Sequence, residues 1–232
     1  YSIKGSSYLK MINDADYVLI DKNFLMQSDN IIKDNYLNAG TIEVKGDFLQ
    51  RAGVFYNYGT YPRTDNFVPG GTHKVVLSGT NVQKIDFQYA GSSYFNVLEL
   101  KNTSEQGVQF INNISLKSLI KHDSKITQSS VGSMNWTLNE DVELDSSLYI
   151  SGSTVDLNGY KLTVNGDLIQ SGGILYVNGG QLVVNGNYYI QSETKAADGT
   201  LSYGRSTGII KMQNSNDYVK VNGSFQVQSD NI

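Results

Sequence analysis

The chain has 232 residues and a formal net charge of −4, with 18 Lys and Arg against 22 Asp and Glu, and it contains no Cys. A chain with this net negative charge lacks the excess of basic residues that nucleic-acid binding needs. The absence of Cys excludes disulfide scaffolds, thiolate zinc sites and cysteine nucleophiles. No apolar run approaches the ~18 residues of a membrane span, so we expect none. Twenty-three Gly against two Pro, with 16 Tyr, predict an all-β chain with many tight turns.

The first segment of the chain, residues 9–31, recurs near its other end. Placed without gaps over residues 210–232, at an offset of 201, it gives 12 identities in 23 positions, where unrelated sequences share about one or two. The chain therefore holds slightly more than one copy of a 201-residue repeat, and we expect it to be part of a longer tandem array. Tyr17 and Tyr218 are one identical pair, and we expect both to be ladder or core residues.

Short alternating stretches predict strands along the chain. They are residues 42–48, 74–77, 85–87, 94–100, 148–150 and 219–225. Residues 114–126 fit a helix of period 3.6 or a strand, and the flanking turn residues favour the strand. Two insertions interrupt this rhythm, one near 55–70 with both prolines and many aromatic residues, and a polar loop near 191–205.

A shorter repeat lies within the long one. Residues 155–166 recur twenty positions later as residues 175–186, and both copies contain two Asn-Gly steps. Asn-Gly in isolation favours a two-residue hairpin turn. The regular spacing favours parallel coils instead, because each apolar residue then stacks on its equivalent, Leu162 on Leu182 and Val164 on Val184. We expect the Asn side chains of these turns to form hydrogen-bonded ladders.

These patterns together predict one fold for residues 1–232. We expect a single domain, an all-β parallel β-helix (β-solenoid) with about twenty residues per coil and a right-handed winding. Insertions in such folds project from one face, which is often the face that binds.

Several phrases of the sequence resemble a known group of proteins. They are Gly-Thr-His-Lys-Val-Val-Leu-Ser-Gly-Thr at 71–80, Ser-Ser-Tyr-Phe-Asn-Val-Leu-Glu-Leu at 92–100, and Gly-Asp-Phe or Gly-Asp-Leu at 46–48 and 166–168. The chain resembles, over most of its length, tandem β-helix repeats of large secreted or surface proteins of Gram-positive bacteria such as Clostridia and Paenibacilli. It is more loosely similar to tapirins, which attach cells to cellulose. The resemblance implies an extracellular, cell-surface setting and a stalk or adhesin role, and it identifies no active site.

The insertion near 55–70 holds the candidate ligand-binding residues. Tyr56, Tyr58 and Tyr61 occupy nearly alternate positions, and Arg63 follows them. Flat rings with polar rims suit sugar faces or protein partners, because they combine a large contact area with a small loss of entropy. The alternative is a loop that packs its aromatic rings on the coils.

The candidate metal ligands lie in an acidic run. Asp141, Glu143 and Asp145 alternate with apolar residues, so they share one side of a predicted strand. Oxygen ligands in this pattern could hold Ca²⁺. Neighbours at i and i+2 lie roughly 7 Å apart, however, which favours a solvated outer face over a calcium site. We therefore expect no cofactor, with calcium as the alternative.

The remaining patterns do not define an enzyme. Neither His73 nor His122 has a partner in a recognisable catalytic motif, and no carboxylate pair stands out. We expect a non-catalytic structural or adhesin module, with carbohydrate binding as the first alternative and a polysaccharide lyase or glycosidase-like β-helix as the second. The expected partners are a polysaccharide or a surface protein, with end-to-end contact between repeat copies through unpaired strand edges.

Overall fold

The computed structural model describes residues 1–29, 36–56, 60–131 and 136–228, with only the backbone described for 54–56, 60–61, 128–131 and 195. Within these residues the regular structure consists of β-strands, which confirms the all-β class. No described helix has the length and apolar character needed to cross a membrane. The chain divides into two compact units, Tyr1–Thr127 and Gln128–Ile232. The single domain over 1–232 stays a prediction.

The first unit consists of short strands connected by turns. In chain order they are β1 (Ser2–Gly5), β2 (Tyr17–Ile20), β3 (Phe24–Ser28), β4 (Thr41–Val44), β5 (Phe48–Gln50), β6 (Gly53–Tyr56), β7 (Thr60–Arg63), β8 (Lys74–Leu77), β9 (Gln83–Phe87), β10 (Phe95–Leu100), β11 (Val108–Phe110) and β12 (Leu116–Ile120). One sheet has the order β1-β3-β5-β9-β11 and another the order β2-β4-β8-β10-β12. Every neighbouring pair in both sheets is parallel.

Aromatic rings fill the core of the first unit. Alternate residues of β3 are buried, so one face of the strand turns Phe24 and Met26 inward. Five of the buried phenylalanines have neighbouring ring centroids 4.8–6.4 Å apart, and they are Phe24, Phe48, Phe67, Phe87 and Phe95. Many of these rings meet edge to face, the arrangement that aromatic quadrupoles favour.

The second unit repeats this plan, and two of its strands are nine residues long. In chain order they are β13 (Ile126–Val131, which begins at the boundary), β14 (Trp136–Thr137), β15 (Val142–Leu144), β16 (Leu148–Asp156), β17 (Lys161–Val164), β18 (Leu168–Tyr176), β19 (Gln181–Val184), β20 (Tyr188–Ile190), β21 (Ser192–Lys195), β22 (Leu201–Gly204), β23 (Ile209–Lys211), β24 (Tyr218–Val221) and β25 (Phe225–Val227). One sheet runs β13-β16-β18-β20-β25, with β14 also on β16 and β23 also on β18, and another runs β15-β17-β19-β24. All these pairs are parallel.

The register of β17 on β19 is the one that the twenty-residue repeat predicts. Leu162 pairs with Leu182 and Val164 with Val184, in parallel, and all four side chains are buried. The hairpin interpretation of the Asn-Gly steps is therefore wrong. Asn158 and Asn178 instead turn the chain between successive strands, from β16 to β17 and from β18 to β19, with φ of 48° and 47°, a left-handed conformation that Asn tolerates better than most residues.

The remaining sequence-based predictions can be compared with these strands. Strand β8 coincides with the predicted 74–77, and the helical alternative for 114–126 is wrong, since β12 and the start of β13 occupy that stretch. Both insertions contain antiparallel hairpins, β6 with β7 and β21 with β22. The predicted polar loop near 191–205 thus forms strands, because its turn is closed by backbone hydrogen bonds from Ala196 to Thr200 (2.8 Å) and from Gly199 to Ala196 (2.9 Å).

Candidate functional site

The insertion that carries the candidate ligand-binding residues forms the hairpin of β6 and β7. Its strands are antiparallel and stand outside both parallel sheets of the first unit. Tyr56 pairs with Thr60 and Phe55 with Tyr61 along the backbone. Tyr58 lies outside the described residues, and the side chains of Tyr56 and Tyr61 are also outside the description. The aromatic contact site therefore stays a prediction.

Arg63 is the candidate ligand-binding residue whose side chain is described. Its Nη1 atom lies 3.2 Å from Oδ1 of Asp65, with the two side chains 24% and 41% exposed. An ion pair this exposed contributes little to stability.

The acidic run lies on β15 and the residues beside it. Asp141, Glu143 and Asp145 are exposed, and Val142 and Leu144 between them are buried, as the period-2 pattern predicts. Oδ1 of Asp141 accepts the backbone N–H of Lys161 at 2.9 Å. Among the described residues, no group of three or more His, Cys, Asp or Glu is arranged to hold a metal ion. Calcium binding here stays a prediction and gains no support from this geometry.

Glu143 begins a ladder of side-chain hydrogen bonds along the sheet β15-β17-β19-β24. Asn165 Nδ2 donates to Glu143 Oε1 at 2.8 Å, Asn185 Nδ2 donates to Asn165 Oδ1 at 2.7 Å, and Asn222 Nδ2 donates to Asn185 Oδ1 at 2.8 Å. The predicted ladder of Asn-Gly turn residues is thereby confirmed in this sheet. Each amide joins one coil to the coil before it.

The first unit contains a charged cluster that the sequence analysis missed. Glu99 on β10 has a side chain only 6% exposed. Lys74 Nζ lies 2.6 Å from its Oε2, and Lys101 Nζ and His122 Nε2 each lie 2.9 Å from its Oε1. We call these four residues the Glu99 cluster. Lys74 comes from the neighbouring strand β8 and His122 from the turn after β12, so the cluster connects three adjacent strands.

Electrostatics fix the charge state of this cluster. Burial of the Glu99 carboxylate by itself would raise its pKa, but the contacts from Lys74, Lys101 and His122 outweigh burial and lower the pKa to about 2. Glu99 is therefore ionised at neutral pH and engaged by three basic side chains. A carboxylate in this state is unsuited to act as a general acid, and the geometry favours a structural role.

One sequence signal for the cluster is visible in retrospect. Glu99 interrupts the apolar run 97–100, which would otherwise read as a fully buried strand. A carboxylate at such a position requires partners. Its partners are 25 residues before it and 23 residues after it, each close to the spacing of neighbouring strands in this sheet.

A small pocket in the second unit lies beside β18 and β23. It is lined by Tyr176, Asn178, Lys211, Gln213 and Asn214 and encloses about 150 Å³. Sites for small molecules usually occupy about 300–1,000 Å³. The ring of Tyr176 is also covered, since Lys211 Nζ lies 4.9 Å from its centroid. The pocket is therefore a poor candidate for a sugar-binding site.

Known proteins provide no relative whose residues could be set beside this site. No protein-family model, no curated protein and no solved structure matches the chain.

Proposed function

We propose that the chain is a non-catalytic structural module of a bacterial surface protein, a right-handed parallel β-helix that serves as a stalk or display surface. The observation that carries the proposal is the parallel register of β15, β17 and β19 at intervals of twenty residues. In such a stack each coil is stabilised mainly by its neighbours, so length can be added without a new core. The extracellular, cell-surface setting rests on the resemblance of the sequence phrases.

The winding follows from the connections between parallel strands. The chain leaves β17, passes through β18 in the other sheet of its unit, and returns to β19 beside β17. Connections that join parallel strands of one sheet in this way are right-handed in nearly all proteins. This rule supports the right-handed coil of about twenty residues.

Cross-links between coils support a load-bearing role. The ladder from Glu143 to Asn222 joins successive coils of the second unit, and the Glu99 cluster joins adjacent strands of the first. Neither arrangement leaves a carboxylate poised for acid–base chemistry. Both add side-chain bonds to a stack whose register the backbone ladders and the buried apolar columns already define.

Force spectroscopy on the chain tests this proposal. When the chain is pulled by its ends, we expect extension in repeated steps of ~70 Å, the length released when a coil of about twenty residues unravels. Leu182→Ala, which opens a gap in the buried column, should lower the force of one step. Val183→Ala, on the outward side of the same strand, is the matched control and should leave the force unchanged. Release of all coils in a single event at low force would contradict the proposal.

Carbohydrate binding is the second candidate, and the hairpin of β6 and β7 favours it. The hairpin is an antiparallel element separate from the parallel sheets, as expected of an insertion that carries a function of its own. The candidate residues are Tyr56, Tyr58, Tyr61 and Arg63.

Polysaccharide pull-down tests the second candidate. We expect retention on cellulose or a related polymer, and at least about a tenfold loss of affinity when Tyr56, Tyr58 and Tyr61 are all replaced by alanine, because each stacked ring contributes on the order of 0.5–1.5 kcal/mol. The control replaces three exposed tyrosines elsewhere, Tyr149, Tyr160 and Tyr203. Equal retention of both triple variants would remove the hairpin as the contact site.

A further inference from the structure

The last coil of the second unit has one uncovered face. Strand β24 ends the order of its sheet and β25 ends the order of the other, so each pairs with an earlier strand on one side only among the described residues. The equivalents of β24 and β25 in the first copy of the repeat are β2 and β3. Those strands are covered, because β4 lies on β2 and β5 lies on β3.

The same apolar positions are buried in the first copy and exposed in the second. Met11 is 2% exposed, and Phe24 and Met26 are 0% exposed. Their equivalents at the offset of 201 are Met212, Phe225 and Val227, which are 52%, 55% and 53% exposed. We call these three residues the end face. Apolar side chains that are exposed where their equivalents are buried indicate a missing partner.

The local structure that presents this face is the same in both copies. In the first, Asp16 Oδ2 accepts the backbone N–H groups of Ile12 and Asn13 at 2.9 and 3.0 Å. In the second, Asp217 Oδ2 accepts those of Gln213 and Asn214 at 2.6 and 2.9 Å. The second copy is therefore folded into the conformation that receives a following coil in the first.

The contacts between the first copy and the coil that follows it indicate which coil could cover the end face. Tyr17 donates its hydroxyl to Glu43 Oε2 at 2.6 Å, and the Phe24 ring lies 4.9 Å from that of Phe48. Tyr218 and Phe225 are identical to Tyr17 and Phe24, so the second copy can make the same two contacts.

The polar ladder also points to this partner. Lys45 Nζ lies 2.7 Å from Asp21 Oδ1 in the first copy. The residue equivalent to Asp21 is Asn222, which uses its Nδ2 to donate to Asn185. Its carbonyl oxygen can accept a hydrogen bond from a lysine placed like Lys45.

We propose that the end face is a docking surface for a coil with the sequence of residues 37–50, supplied by a second copy of the repeat. In the docked register Tyr218 lies opposite Thr41 and Phe225 opposite Phe48 of the second copy, as Tyr17 and Phe24 do within the first. The proposal rests on the proposed stacking of coils and names the partner of its open end.

The test uses the full chain followed directly by a second copy of residues 32–127. Backbone amides of β24 and β25 should exchange with solvent at least about tenfold more slowly in the extended chain than in the original, because both edges of each strand are then paired. Phe225→Ala should lower the melting temperature of the original chain by no more than about 2–4 °C and that of the extended chain by at least about twice as much. Tyr203→Ala, at an exposed tyrosine outside the end face, should change neither.

Three results would overturn parts of this account, and they are distinguishable. Unchanged exchange of β24 and β25 in the extended chain would refute the docking surface. Protection of β25 in the original chain that disappears on dilution would show whole chains stacking end to end, and would refute the assignment to residues 37–50. If β17 and β19 exchanged as fast as β24 in the original chain, the proposed stack of coils would itself be wrong.

Discussion

Phe24→Ala should destabilise the first unit by about 3–5 kcal/mol, whereas Phe225→Ala should cost no more than about 1 kcal/mol. The two residues are equivalent in the repeat, yet Phe24 is fully buried against Phe48 and Phe67 while Phe225 is 55% exposed. Truncation at Phe24 removes ring contacts and leaves a cavity. Truncation at Phe225 removes a contact with Tyr188, whose ring centroid is 5.0 Å away, and leaves no enclosed space.

Urea unfolding followed by circular dichroism measures both changes. The chain has a single tryptophan, Trp136, which is buried in the second unit. Its fluorescence therefore reports on that unit, and the Phe24→Ala effect should appear in circular dichroism. Equal losses of unfolding free energy for the two variants would contradict this prediction, because Phe225 would then be as closely packed in solution as Phe24.

Glu99→Gln should reduce the free energy of unfolding at pH 7 by about 2 kcal/mol and flatten its fall in acid. The basic partners lower the folded-state pKa of Glu99 from 4.5 to about 2. Its stabilising contribution is therefore fully present above about pH 4.5 and is lost as the pH falls towards 2. A shift of this size corresponds to about 3 kcal/mol, which we discount because Lys74, Lys101 and His122 are 34–51% exposed.

The measurement is urea unfolding at pH 7 and at pH 3 for three proteins. The original chain should lose stability between the two values, and Glu99→Gln should lose about 1–2 kcal/mol less. Glu105→Gln is the matched control, since Glu105 is an exposed glutamate on the same unit. If Glu105→Gln changed the loss of unfolding free energy between pH 7 and pH 3 as much as Glu99→Gln, the Glu99 cluster would not be the source of the pH dependence.

Regular spacing explains why part of the fold could be predicted from the sequence. Where the interval is twenty residues, as from Leu162 to Leu182, the apolar and Asn positions of one coil identify their own neighbours in the next. The register and the ladder of Asn165 and Asn185 follow from that spacing. Tyr17 and Tyr218 were expected to be ladder or core residues, and the core alternative is wrong, since they are 56% and 49% exposed. Ile20 sets the inward phase of the first strand and places residue 17 outward, where its hydroxyl donates to Glu43 of the neighbouring strand.

Irregular spacing explains why the Glu99 cluster could not be predicted. The turns between β8, β10 and β12 differ in length, so the intervals from Lys74 to Glu99 and from Glu99 to His122 are unequal. No single period then aligns the partners, and His122 lies in a turn, where its backbone takes a positive φ of 50°. The hairpin of β21 and β22 was missed for a related reason, since its polar residues carry no alternation to signal pairing.

The asparagine ladder gives the second unit a chemical direction. Each amide donates to the coil before it, and the series stops at Glu143, because a carboxylate accepts hydrogen bonds and has no N–H to pass on. The Glu143 terminus of this polar chain thus offers only acceptor oxygens, and the carbonyl of Asn222 at the opposite terminus is also able to accept. A coil added at either end of this column must therefore bring a hydrogen-bond donor, as Lys45 does for Asp21 in the first copy.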